Sequence, residues 1–197
     1  MKNFCFIVSH FYSGSSELIE ILNQNSRCEF KSGIDDNVYD HPDVLNPIIN
    51  QKNKIFGDQV LKNYNLPCKR FYDFSKFIYV IRSPRGTFAD FFEMQKKDAN
   101  QNIEKFSDYY RFRLRRICEM AKKTKSGLIL NWEDLKSKKA FPLVEEYLEI
   151  KLNYNYNNNF NSKPTSFENE TLIRQANKSY EKYHYFLKNL NQRVLNG

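Results

Sequence analysis

The sequence predicts an α/β fold of three layers, a mostly parallel sheet flanked by helices, as a single domain over residues 1–197. Three observations carry that expectation. Short apolar, β-rich runs alternate with segments of helical period, the order that builds parallel sheets. A chain of 197 residues with 41% hydrophobic and 16% aromatic residues is long and apolar enough for one packed core. The stretch Phe4-Cys-Phe-Ile-Val-Ser-His-Phe-Tyr-Ser-Gly-Ser-Ser-Glu-Leu-Ile-Glu-Ile-Leu22 reads as a buried strand, a hydroxyl-rich turn and an amphipathic helix.

Taken in order, the first strand covers 3–8, where Cys5 alternates with Phe4 and Phe6, and the first helix covers 14–24. Amides at a helix start lack intrahelical partners and sit at the positive end of the dipole, so the turn before this helix is an anion cradle. Gly14 admits a phosphate close to the backbone, and Ser13, Ser15 and Ser16 add hydroxyl donors. No glycine stands five residues before Gly14 and no lysine follows it, which disfavours an ordinary nucleotide P-loop. A plain strand-turn-helix with serine caps is the other reading.

A strand near 27–31 follows, then a loop-rich insert 32–53, a strand 54–57 and a short helix near 58–64. Strand 77–81 runs into helix 85–97 past Pro84, which suits a first helical turn, so Arg82 stands at the carboxyl end of a strand. That edge is where open α/β sheets bind ligands, and the guanidinium fork suits a second phosphate. An ion pair with Asp90 or Glu93 is the alternative for Arg82. Helix 103–125 carries an apolar stripe of Tyr110, Leu114, Ile117 and Met120 or Ala121. The basic run Arg111-Phe-Arg-Leu-Arg-Arg116 then reads mostly as a solvated face, which disfavours a nucleic-acid partner. Strand 127–131 ends in Trp132-Glu-Asp-Leu135, with Glu133 and Asp134 suited to a helix start. Helix 139–149, an exposed asparagine-rich loop near 153–166 and a C-terminal helix near 169–194 complete the chain.

The loop Tyr12-Ser-Gly-Ser-Ser16, the segment Ile78-Tyr-Val-Ile-Arg-Ser-Pro-Arg85 and the segment Trp132-Glu-Asp-Leu135 resemble, in kind, order and spacing, the PAPS-dependent sulfotransferases, whose donor is 3′-phosphoadenosine 5′-phosphosulfate (PAPS). The resemblance spans residues 4 to about 150 and implies a P-loop-like sulfotransferase fold. It also implies transfer of a sulfuryl group from PAPS to a hydroxyl of a glycan, peptide or small molecule, without a metal. Residue by residue, it puts Ser13, Gly14, Ser15 and Ser16 around the 5′-phosphosulfate, Arg82 on the 3′-phosphate and Trp132 beside the adenine.

Two positions depart from the family pattern. Tyr12 stands where the family has a basic residue that steadies the departing group, and Asp90 where it has a serine that helps hold the 3′-phosphate. His10 and Lys62 are candidates to reach the sulfate instead, and Ser83, Arg85 and Thr87 to replace the 3′-phosphate contact. The reaction also needs a base for the acceptor hydroxyl. Ser26-Arg-Cys-Glu-Phe30 resembles the segment that carries it in the tyrosylprotein branch, so Glu29 is the first candidate and His10 the second. Lys54-Ile-Phe-Gly-Asp-Gln59 resembles the strand that carries a Gly-Asp/Glu-Lys-Thr-Pro element, with Gln59 where a lysine is expected, and a core strand ending in a Gly turn is the other reading. A family member that binds a nucleotide or polyanion without turnover is the alternative function, and a nucleotide or small-molecule kinase a third.

A net charge of +8 favours polyanionic partners, with PAPS itself and an acidic acceptor among them. No window reaches the apolar length of a membrane span, and Phe4 to Val8 is too short for a signal-peptide core. The four cysteines, Cys5, Cys28, Cys68 and Cys118, form no metal-ligand spacing and read as buried free thiols. A cytoplasmic setting follows as the expectation.

Overall fold

The computed structural model describes residues 4–31, 53–61, 72, 73, 75–95, 99–124, 127–155 and 169–194. Its strands are β1 (Phe4–Ser9), β2 (Cys28–Lys31), β3 (Ile55–Val60), β4 (Lys76–Ile81) and β5 (Leu128–Asn131). Its helices are α1 (Ser15–Asn23), α2 (Pro84–Gln95), α3 (Ala99–Ala121), α4 (Trp132–Lys136), α5 (Phe141–Leu148) and α6 (Glu170–Val194). The strands form one sheet in the order β2-β3-β1-β4-β5, and every neighbouring pair is parallel. The α/β, three-layer expectation is thus met.

Alternation along each strand sends side chains into two cores. Phe6, Val8, Phe77, Tyr79 and Ile81 pack with Phe88, Phe106, Tyr110 and Ile173 from α2, α3 and α6. Cys5, Ile7, Ile78 and Val80 pack on the other face with Leu18 and Leu22 of α1, Leu135 of α4 and Phe141 and Val144 of α5. The connections leaving β1 and β4, which are hydrogen-bonded neighbours, therefore diverge to opposite faces. Divergence of adjacent connections opens a crevice at the carboxyl ends of the strands.

The structure moves several boundaries. Residues 58–60, expected to open a short helix, continue β3 instead, and all of β3 is buried. Gly57 permits this, because the Phe30 ring of β2 lies where a Cβ would project. Residues 62–64 of that expected helix, the insert 32–52 and residues 156–166 of the asparagine-rich loop lie outside the described residues. Trp132–Lys136 forms a separate short helix with Glu133 and Asp134 in its first turn. Arg111, Arg115 and Arg116 pair with Asp108 and Glu119 on α3, as a solvated face would, but Arg113 is fully buried. Cys5, Cys28 and Cys118 are buried free thiols, and Cys68 lies outside the described residues. No described helix is long and apolar enough to cross a membrane.

Candidate functional site

The turn between β1 and α1 is built around two left-handed residues, Tyr12 with φ 62° and Gly14 with φ 85°. Gly14 is the N-cap of α1 and no side chain caps the helix, so the amides of its first turn face outward without a side-chain partner. They are ringed by hydroxyls. Ser15 is the hub, 2.8 Å from Ser9 Oγ and 3.3 Å from Ser13 Oγ, and it accepts the Gln59 side-chain amide at 2.6 Å. Above them lies a cavity of ≈ 250 Å³ lined by residues 11–17, Gln59, Leu61, Arg82 and Asp90.

Arg82 forms the wall across from the loop. Its side chain is 3% exposed, and its Nη1 donates to Tyr12 O at 3.0 Å and to Asp90 Oδ2 in a short ion pair. The guanidinium lies 4.0 Å from the centre of the Trp132 ring, a cation-π stack that covers it further. Two glycines leave room for this arrangement. A Cβ on Gly86 would meet Arg82 Nε at 2.6 Å, and one on Gly14 would collide with the Trp132 indole. Among the described residues lining the cavity, Arg82 is the cation, while Glu17 and Asp90 are acids. Burial raises the Glu17 pKa above the usual carboxylate range.

Helix α3 fixes the strand ends that carry these groups. Arg113 Nε donates to Ser9 O at 2.8 Å and its Nη2 donates to Val60 O, tying together the ends of β1 and β3. Burial lowers the Arg113 pKa only to about 10, so the side chain stays charged at neutral pH. Tyr110 donates to Arg82 O at 2.7 Å just beyond β4. Tyr109 accepts from Phe11 N–H and donates to Leu61 O, each at 3.1 Å. Three side chains on neighbouring turns of one helix therefore hold the exits of three strands.

The candidates named from the sequence divide clearly. Tyr12, Ser13, Gly14, Ser15, Ser16, Arg82 and Asp90 all line one cavity, and Trp132 covers Arg82 beside it. The Tyr12 ring turns toward the aromatic core, edge-on to Phe91 at 6.2 Å and Phe106 at 5.8 Å. Glu29 is not brought to the cavity. It pairs with Phe56 near the amino end of β3 and lies 3.5 Å from Lys54, whereas the cavity is at the carboxyl ends. His10 is fully buried: it accepts the Arg82 N–H on Nε2 at 3.0 Å and donates from Nδ1 to Phe11 O at 2.8 Å. With both nitrogens engaged and its pKa pushed down to about 4 by burial, it is a structural link rather than a base. Thr87 bonds Ser83 O, Ser83 reaches Glu133 and Arg85 pairs with Glu170, so these three are engaged among themselves and with neighbouring helices. Lys62 lies outside the described residues.

Gln59 and Arg113 are the additions that sequence reading missed. Gln59 stands where a lysine is expected, and its contact with Ser15 depends on β3 continuing through Val60. Arg113 lies three residues after Tyr110 and four before Ile117, on the apolar stripe itself, a placement that marks a buried arginine with carbonyl partners.

No family model matches the sequence, and no curated protein matches it. Among solved structures, the chain superposes on mouse sulfotransferase SULT7A1 complexed with PAP with a TM-score of 0.56 and 17% identity. That likeness covers 91% of this chain and 64% of the mouse enzyme, so the chain spans under two thirds of its length. The sulfotransferase domain of the Synechococcus PCC 7002 olefin synthase superposes with a TM-score of 0.57 and 14% identity, covering 99% of this chain and 96% of that one. The fold is the sulfotransferase fold.

Proposed function

We propose that this chain is a sulfotransferase-like protein whose loop Ser13–Ser16 binds the 5′-phosphosulfate of a PAPS-type donor and whose reaction is sulfuryl transfer to a hydroxyl-bearing acceptor. The observation that carries the reading is the uncapped amino terminus of α1, ringed by Ser13, Ser15 and Ser16 and open to a cavity at the β1–β4 crevice. Helix amides and hydroxyls together satisfy several oxygens of one anion, and the helix dipole favours its charge. The 5′ end of PAPS fits these residues. Its 3′-phosphate does not fit Arg82, which is stacked under Trp132 and already paired with Asp90.

A second reading, binding without turnover, is favoured by the same lining. Tyr12 brings no positive charge, and neither Glu29 nor His10 offers a base at the cavity. Thermal unfolding in the presence of PAPS, PAP and ATP with magnesium tests the donor class. A phosphosulfate nucleotide or PAP at 100 times its dissociation constant is expected to stabilise the fold by about 2.7 kcal/mol, and Gly14→Ala, strained at φ 85°, to lose that response. A response to ATP with magnesium alone would remove the sulfotransferase reading in favour of a kinase. Labelled PAPS with a panel of hydroxyl acceptors then separates transfer from binding alone.

A further inference from the structure

The anchor that the resemblance assigns to a 3′-phosphate is already in use. Arg82 has a 3% exposed side chain, its Nη1 is shared between Tyr12 O and the Asp90 carboxylate, and the Trp132 ring covers its plane at 4.0 Å. Asp90 is the partly open member of the pair, with a 29% exposed side chain, and it lines the cavity. A phosphate arriving at Arg82 meets that carboxylate first. The absence of a Cβ at Gly86 leaves the space in which the Arg82 guanidinium makes this pair. The other acid of the lining, Glu17, sits one residue past the serines of the loop. The start of α1, in contrast, has no side-chain cap in the place of an arriving anion.

We infer that the ligand of this site is a 5′-phosphosulfate or 5′-phosphate nucleotide without a 3′-phosphate, and that Asp90 sets this specificity by occupying Arg82. The inference rests on Ser13–Ser16 being the anion loop, and it narrows the donor from PAPS to its 3′-dephosphorylated class. Asp90 is here a specificity-determining residue, acting as a built-in anion in the place of an external one.

Titration calorimetry of the full chain with adenosine 5′-phosphosulfate, 5′-AMP, PAPS and PAP tests it without any turnover. The 3′-dephosphorylated members are expected to bind at least as tightly as their 3′-phosphorylated counterparts. Asp90→Ser is expected to raise the affinity for PAP by about tenfold or more, with 5′-AMP little changed. Wild-type chain that prefers PAP to 5′-AMP by about tenfold overturns the inference and leaves the loop reading intact. If none of the four binds while the far-ultraviolet circular dichroism is that of a folded α/β protein, the loop reading falls, and the inference with it. The wild-type comparison stands even if the Asp90 variant does not fold.

Discussion

His10 shows how a residue type that suggests catalysis can be consumed by architecture. Its imidazole links the backbone at Phe11 to that at Arg82, thereby locking the exit of β1 to the exit of β4. Burial pushes its pKa from 6.5 to about 4. The unfolded chain therefore takes up a proton that the folded chain refuses. The stabilisation is complete above pH 6.5 and fades as pH falls toward 4. A shift of this size corresponds to about 3 kcal/mol. Urea unfolding at a series of pH values is expected to show stability falling through that window, and His10→Asn to flatten the fall. A wild-type curve that is level between pH 6.5 and 4.5 would show that the imidazole is not held neutral. Sequence could suggest His10 as a loop base because spacing reports proximity to the turn. It could not report that both ring nitrogens find backbone partners, one of them 72 residues away.

At the scale of elements, the strands were legible because each is a short apolar run, and the long helix α3 because its stripe recurs at helical spacing. The extent of β3 was not, since Gly57-Asp-Gln resembles a turn until Phe30 is seen to fill the space over the glycine. The role of α3 was only half legible. Its apolar stripe was read, whereas Arg113 was grouped with its exposed neighbours, though its partners are main-chain carbonyls that no composition announces. Arg113→Met keeps volume but strands two buried carbonyl oxygens, and is expected to cost about 3 kcal/mol. Urea unfolding measures that loss. A cost below about 0.5 kcal/mol would mean that the guanidinium does not hold the strand ends.

At the scale of the whole molecule, the fold was readable from order and spacing, and the site in its loop and in Arg82, Asp90 and Trp132, but not in the role of Gln59. The cavity's charge was hidden, because it depends on which acids turn inward. A chain of +8 carries its positive field outside a cavity whose described lining holds one cation and two acids. Long-range attraction and local selection are thus separate properties. Raising ionic strength is expected to slow the association of an anionic nucleotide several-fold while leaving the ranking among nucleotides unchanged, which stopped-flow mixing would reveal. A ranking that inverts with salt would place the discrimination in the far field instead of at Asp90.

The staple made by α3 also bears on how the cradle comes into being. Arg113 and Ser9 are separated by 104 residues, and Tyr109 and Phe11 by 98. Contacts so distant along the chain close late, after nearer ones have reduced the entropy of the intervening segment. An amino-terminal fragment ending before α3 would carry every serine of the loop and still lack its shape. The geometry of the loop belongs to the collapsed chain and not to the motif that announces it.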